Sequence, residues 1–235
     1  MSLFLDIRKK LPHFTLDVSF SCAPGTLTAI VGPSGAGKST LMRILSGLDL
    51  PDDGRITFDG RIWNDTTKDI FLHPRKRRIG MVFQDYPLFP HFSVLANISF
   101  GGNSRDSAMK LLEKFNIAHL AQKKPGVISG GERQRVSFCQ ALAREPSLLF
   151  LDEPFSALDQ ETRFSCCQEL LTLKAEMHIP IIHITHDLEE AVSLADQIFV
   201  MDQGKKSTRW LNRQQEQSAL LRPGFVPFFN TAVTC

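Results

Sequence analysis

No apolar stretch in these 235 residues approaches the roughly 18 needed to carry a helix across a bilayer, so a helical membrane span is not expected. The opening Met-Ser-Leu-Phe-Leu-Asp-Ile-Arg lacks the basic-then-apolar order of a secretory signal. If the protein works at a membrane, another chain must supply the membrane part. Metal-type cysteine spacing is missing as well. The five cysteines (Cys22, Cys139, Cys166, Cys167 and Cys235) are odd in number. The adjacent Cys166 and Cys167 suit neither a zinc site nor an easy disulfide, and a reducing cytosol is the simplest home. A dominant charge is also absent. Lys and Arg total 27 against 25 Asp and Glu, a formal net charge of +2, which argues neither for nor against nucleic acid. The basic run Arg75-Lys76-Arg77-Arg78 reads as a solvated face. There is no internal repeat and no low-complexity segment. With 43% hydrophobic residues, the chain can build one substantial domain with room for a subdomain.

What is present is concentrated at residues 32 to 40. Gly32-Pro33-Ser34-Gly35-Ala36-Gly37-Lys38-Ser39-Thr40 follows an apolar β-branched strand, Leu27 to Val31, and opens a helix-forming run, Ser39 to Leu45. This is the G-x-x-x-x-G-K-[ST] phosphate loop in its required strand–loop–helix setting. Glycines let successive N–H groups turn inward toward phosphate oxygens, and the helix N-terminus adds its positive dipole end. Lys38 would reach the β- and γ-phosphates, and the Ser39 hydroxyl would ligate Mg²⁺. A chance glycine-rich turn is the bland alternative, and the flanking strand and helix count against it.

Around this loop, residues 3 to 31 alternate apolar and polar in short bursts and read as β-hairpin material. Pro51-Asp-Asp-Gly54 and Asp59-Gly60 read as turns flanking a strand, Arg55 to Phe58. Ile79 to Phe83 reads as a buried strand. The period then becomes helical over roughly 85–147, clearest at Ser107–Phe115 and Glu132–Arg144. Strand character returns at Leu148–Leu151, Ile181–Ile184 and Ile198–Met201, with helices near 161–177 and 187–195. Strands alternating with helices around a phosphate loop imply a parallel α/β core with a helical insertion.

A second set of phosphate-handling residues follows. Leu148-Leu-Phe-Leu-Asp152-Glu153 places two carboxylates where a buried strand emerges, the edge at which open α/β sheets bind ligands. Asp152 should therefore fall beside the phosphate loop, holding Mg²⁺ while Glu153 polarises the attacking water. An acidic pair merely ending a strand is the competing reading. Ile128-Ser129-Gly130-Gly131-Glu132-Arg133-Gln134-Arg135 opens another helix. Ser129 followed three residues later by Glu132 is a capping box, and the same glycine-rich N-terminus is also an anion cradle; the two readings are compatible. A second γ-phosphate cradle suggests that two subunits share each nucleotide.

Together these residues resemble the ATP-binding cassette family of transport ATPases, over about residues 1–206. Gly32 to Thr40 looks like its Walker A motif and Gln84 like the Q-loop glutamine that senses Mg²⁺ and the membrane subunit. Ser129 to Gln134 is similar to the family signature, with Ile128 where leucine is commoner and Glu132 where glutamine is commoner. Leu148 to Glu153 matches Walker B, Ser156-Ala-Leu-Asp159 the D-loop, and His186 the switch histidine that contacts the γ-phosphate. The resemblance implies a P-loop NTPase with a RecA-like parallel core, an N-terminal antiparallel β subdomain and an inserted α-helical subdomain. It implies ATP and Mg²⁺ as ligands, with Lys38, Ser39, Asp152, Glu153 and His186 of one subunit facing Ser129, Gly130 and Gly131 of a second, in a homodimer. An aromatic residue of the early hairpin usually holds adenine in the family; Phe14 is the candidate, and hairpin packing serves it equally well.

The run from Arg77 to Val94, continued by Asn97 to Gly101, looks like bacterial importers of the oxyanion, iron and polyamine group. Gly60 to Trp63 and Leu72 to Arg77 most resemble the molybdate-importing branch; sulfate, ferric iron, polyamine and thiamine importers are the alternatives. Tyr86, Leu88, Phe89 and Phe92 would then receive a helix of a separate transmembrane permease, with a solute-binding protein acting through that permease. Routine core packing is the rival reading of these four. The expected place of work is the cytoplasmic face of the cell membrane, held peripherally, with no nucleic acid partner. After Gly204 the resemblance stops; 207–235 reads as an atypical tail, with a poorly patterned helix at Trp210 to Leu221 and no room for a regulatory domain. Among rival classes, a chromosome or DNA-repair ATPase needs a coiled-coil arm that cannot fit between Thr40 and Ser129. A ribosome-associated cassette protein needs two cassettes in one chain, and an exporter usually carries a fused membrane domain.

Overall fold

The first strand shows how the chain chooses its faces. β1 (Leu3–Lys10) buries Leu3, Leu5 and Ile7 and turns Phe4, Asp6 and Arg8 outward, the period of two that a half-buried strand requires. The computed structural model describes residues 1–100, 104–207 and 210, in two compact units. One unit comprises residues 1–77 and those from 177 onward; the other comprises 78–176.

In the first unit β2 (Thr15–Cys22) runs antiparallel to β1, in register from Leu3 opposite Cys22 to Lys10 opposite Thr15. β3 (Leu27–Val31) is buried at all five positions and leads into α1 (Lys38–Ser46). β4 (Asp53–Phe58) pairs with β1, and β5 (Arg61–Asp65) and β6 (Ile70–Phe71) extend that antiparallel ribbon. The second unit contributes β7 (Ile79–Val82), α2 (Val94–Ser99), α3 (Arg105–Lys114), α4 (Gly130–Leu142), β8 (Leu148–Asp152) and α5 (Gln160–Met177). There β7 and β8 pair in parallel, and the rings of Phe115, Phe138 and Phe155 follow one another at 6.3 and 6.5 Å. The chain then returns to the first unit with β9 (Ile181–Thr185), α6 (Leu188–Leu194), β10 (Gln197–Asp202) and β11 (Lys205–Lys206).

Within the first unit the strand order is β6-β5-β4-β1-β2-β11-β10-β3-β9. β3 lies between β9 and β10, parallel to both, and such doubly covered strands read as unbroken apolar runs. β11 turns back at Gly204, pairing antiparallel with β10 and parallel with β2. The rest of the predicted tail helix and of 207–235 lies outside the described residues, as does Gly101; Trp210 is buried.

Three departures have local causes. β5 carries buried Asn64 and Asp65, which hid it as a strand; Asp65 Oδ1 accepts from the Thr67 and Lys68 N–H groups and the Thr67 hydroxyl, ending the strand in a turn. Residues 84–93, expected to be helical, form a loop instead, closed by a Ser93 cap on α2. Arg77 lies within the supposed solvated basic run, yet it is 2% exposed.

Candidate nucleotide-binding site

The phosphate loop is shaped by one close approach and one left-handed turn that favour glycine. A Cβ on Gly32 would stand 2.0 Å from the Met201 carbonyl oxygen of β10, so the loop leaves β3 pressed against the neighbouring strand. Gly37, at φ +101°, is the N-cap of α1 and offers no side chain to cap it; the first turn carries no acid either. No side chain of the cap thus competes with an outside acceptor for the N–H groups of that turn. Lys38 is 7% exposed, and its ammonium donates to the carbonyls of Gly32 at 2.8 Å and Pro33 at 2.9 Å, which places a positive charge within the curl. Ser34, Gly35 and Ser39 are exposed, Pro33 and Thr40 half-buried, and Ala36 buried, where its carbonyl accepts the Gly204 N–H.

Phe14 sits beside this loop. Its ring is about a contact distance from Gly37, where a Cβ would lie 3.3 Å from Cε2, and a Cβ on Gly204 would meet Cδ2 at 2.6 Å. The half-buried ring is thus wedged between two glycines, in keeping with the hairpin-packing reading of this residue.

His186 also belongs to the first unit. It follows β9 directly and is exposed. Its corner is stiffened on one side by Asp187, whose N–H donates to Thr185 Oγ1 and whose carboxylate caps α6 at the Glu190 N–H. Two residues before Thr185, the wholly buried His183 meets Glu190 through Nε2 and Oε1 at 2.6 Å, tying α6 to β9.

In the second unit Gln84 is exposed just beyond β7. Ser129 is exposed and is the N-cap of α4. Its hydroxyl accepts the Glu132 N–H at 3.3 Å, and Glu132 accepts the Ser129 N–H at 2.7 Å. That backbone bond holds the Glu132 carboxyl below its usual range. The capping box is therefore real, and it leaves Gly130 and Gly131 half-buried at the opening of the helix. Asp152 closes β8, and Glu153 follows at φ +45°, both half-buried. Left-handed backbone in a non-glycine residue costs on the order of 1–3 kcal/mol and concentrates where function requires it. The strain falls on the residue expected to polarise water.

The donor set suits a hard cation. Ser39, Gln84 and Asp152, the residues expected to hold Mg²⁺, each carry an oxygen of the kind Mg²⁺ prefers beside phosphate. Among the described residues no cluster of three or more His, Cys, Asp or Glu could hold a metal ion by itself. None of their helices is long and apolar enough to cross a membrane.

Two residues lie otherwise than the sequence suggested. Arg77, read as solvated, and Tyr86, read as part of a surface for a permease helix, are both buried, which for Tyr86 agrees with the rival core-packing reading. Arg77 lies under α1: Nη1 donates to the Ile44 and Leu45 carbonyls at 3.0 and 2.6 Å, Nε donates to Leu72, and the guanidinium rests 5.3 Å from the Trp63 ring. It caps the far end of the helix whose near end forms the cradle. Tyr86 is buried, and its hydroxyl donates to the Pro154 carbonyl next to Glu153, whereas Phe89 and Phe92 are exposed and Leu88 half-buried. Nothing local to either residue signals its partner.

A buried parallel strand feeding a glycine-turned loop and an uncapped helix N-terminus defines a P-loop nucleotide-binding fold. The family profile described as ABC transporter matches residues 15–156. The chain belongs to the ABC transporter family. It is 40% identical over 203 residues to the molybdenum import ATP-binding protein ModC of Photobacterium profundum, covering 86% of this chain and 57% of that one. It is 43% identical over 211 residues to the molybdate/tungstate import ATP-binding protein WtpC of Archaeoglobus fulgidus, covering 86% and 85%. The sulfate/thiosulfate import ATP-binding protein CysA of Acinetobacter baylyi is 43% identical over 204 residues, covering 82% and 56%. The chain thus spans less than two thirds of the ModC and CysA relatives. Among solved structures, the dimeric post-hydrolysis state of the ATP-binding cassette MJ0796 bound to ADP and Pi superposes with a TM-score of 0.72 at 30% identity, covering 88% and 97%.

Proposed function

We propose that this chain is the ATP-hydrolysing subunit of a bacterial ABC importer, with residues 1–206 as its nucleotide-binding domain, about 85–147 as the helical subdomain and 207–235 as a tail. The observation that carries this reading is the uncapped N-terminus of α1 with the Lys38 ammonium held in the loop before it. Gly32 to Thr40 would wrap the phosphates, and Ser39, Gln84 and Asp152 would hold Mg²⁺, which supplies charge neutralisation between the β- and γ-phosphates. Glu153 takes a proton from water as that water's oxygen bonds the γ-phosphorus. The bridging oxygen leaves on ADP, with Lys38 and the loop amides stabilising the charge and His186 contacting the γ-phosphate. Phe14 is proposed to touch adenine. Ser129, Gly130 and Gly131 would complete the site of a second copy, so that hydrolysis is tied to closure of a homodimer.

The partners in this reading are a transmembrane permease and, through it, a solute-binding protein, and the working place is the cytoplasmic face of the inner membrane. Molybdate or tungstate is the proposed solute, supported by the ModC and WtpC relatives; the CysA relative supports sulfate as the second reading. In purified protein, Glu153→Gln is expected to bind ATP and to lose at least about 100-fold in turnover. Normal turnover in that variant removes Glu153 from the role. Reconstituted with its permease and binding protein, the ATPase should be stimulated by molybdate and tungstate; stimulation by sulfate alone would transfer the reading to the second solute.

A further inference from the structure

Pro154 brings no N–H group, so the stretch after Glu153 is anchored through its carbonyls. The Glu153 carbonyl accepts the Ser156 hydroxyl at 2.9 Å and the Ser156 N–H at 3.3 Å, both from within the same turn. The Pro154 carbonyl accepts the Tyr86 hydroxyl at 2.5 Å, a donor 68 residues distant in sequence. Tyr86 is 8% exposed and itself held at φ +43°, so its ring is fixed by burial and its backbone by a tight turn. Two left-handed residues, one on each segment, thus flank a single buried hydrogen bond.

The Tyr86 segment is braced at its other end too. Asn97 is wholly buried; its Oδ1 accepts the Phe89 N–H at 2.7 Å, and its Nδ2 donates to the Phe89 carbonyl at 3.2 Å and the Ser93 carbonyl at 3.0 Å. The loop between these two ties presents Phe89 and Phe92, whose rings lie 5.3 Å apart and are 40% and 39% exposed. A loop pinned at both ends transmits a push on its middle rather than absorbing it.

We propose that Tyr86 is a positioning residue for Glu153: its hydroxyl, through the Pro154 carbonyl, holds the strained turn that aims the Glu153 carboxylate. This rests on the proposed role of Glu153 as the group that polarises water.

Tyr86→Phe deletes one oxygen and keeps the ring. In the full-length protein it should lower kcat about two- to tenfold, the worth of one buried hydrogen bond, with KM for ATP unchanged within about twofold. Rates are normalised to sites titrated with a non-hydrolysable ATP analogue, so that loss of folded protein does not register. In single-turnover assays on the Glu153→Gln background, Tyr86→Phe should cost nothing further, because the carboxylate it aims is gone. Wild-type kcat in Tyr86→Phe overturns the proposal, as does a rise in KM at constant kcat. An equal loss on the Glu153→Gln background does the same. If Glu153→Gln itself turns over normally, the catalytic reading and this inference fall together. If that variant is inactive while Tyr86→Phe matches the parent, only this inference falls.

Discussion

Arg77 illustrates how a charged side chain can be buried without a carboxylate. Four backbone carbonyls and the faces of Trp63 and Phe71 surround its guanidinium, and burial draws its pKa down to about 10, still charged at neutral pH. Two of those carbonyls lie in the last turn of α1; Ile44 also accepts the Gly47 N–H, so removing the donor falls hardest on the Leu45 carbonyl, in a dry site. Arg77→Met should therefore destabilise the fold by on the order of 3 kcal/mol in urea titration. A change below about 0.5 kcal/mol would mean that water replaces the guanidinium without cost. The basic run hid this residue because sequence shows charges in a row but not the carbonyls that receive one of them. The cysteines make the opposite case, since their reading needed only their spacing. Cys22, Cys139, Cys166 and Cys167 are buried free thiols, and burial pushes Cys166 up to about 11. A Cys235→Ser variant should take up no thiol reagent at pH 8 while folded, and four equivalents once unfolded.

Among the elements, those that obey one physical rule were legible. β3 is buried at all five positions, four of them apolar, and Leu27 to Val31 gives its bounds; β8 and β9 follow the same rule and extend one residue beyond the ranges read from the sequence. β5 is hidden in the sequence because its buried positions include the polar Asn64 and Asp65, the latter paired with Thr67 and Lys68 in the turn that follows. The loop at 84–93 was taken for helix because Asn97, which fastens it, lies beyond it in sequence. α4 was legible down to its cap, and the cap has a pH signature. The Glu132 carboxyl is depressed in the folded state, chiefly by the Ser129 N–H, so its stabilisation is complete above the unfolded value of about 4.3. It fades as pH falls through the lower folded value. Thermal melts between about pH 3 and pH 6 should show this step in the parent and lose it in Glu132→Gln, which keeps a cap but cannot titrate. A step of equal size in that variant assigns the titration to another group.

At the scale of the whole molecule, the residues expected to handle the nucleotide are divided between the two units. Lys38, Ser39 and His186 belong to one; Gln84, Ser129, Asp152 and Glu153 belong to the other. Motif order along the chain proposes each of these because phosphate chemistry demands particular residue types at strand ends and helix starts. What order could not convey is support from afar, such as Arg77 beneath α1 or Tyr86 behind Glu153. The shared-site reading carries its own test. Glu153→Gln with ATP and Mg²⁺ should double in mass by light scattering, and a chelator or omission of ATP should return it to the monomer. Mass that stays monomeric under saturating ATP would detach Ser129, Gly130 and Gly131 from the nucleotide.

The contact between Gly32 and β10 also governs which descendants of this chain can survive. Every single-base change in a glycine codon that alters the residue adds at least a β-carbon, and at Gly32 that atom would lie 2.0 Å from the Met201 carbonyl oxygen. No one-step heritable substitution there escapes the collision. At Gly126, where nothing lies within 4 Å of the added atom, the same changes meet open space. Two glycines of one chain thus face opposite fates under mutation, and a comprehensive substitution library grown under selection for the folded protein should be silent at one and crowded at the other.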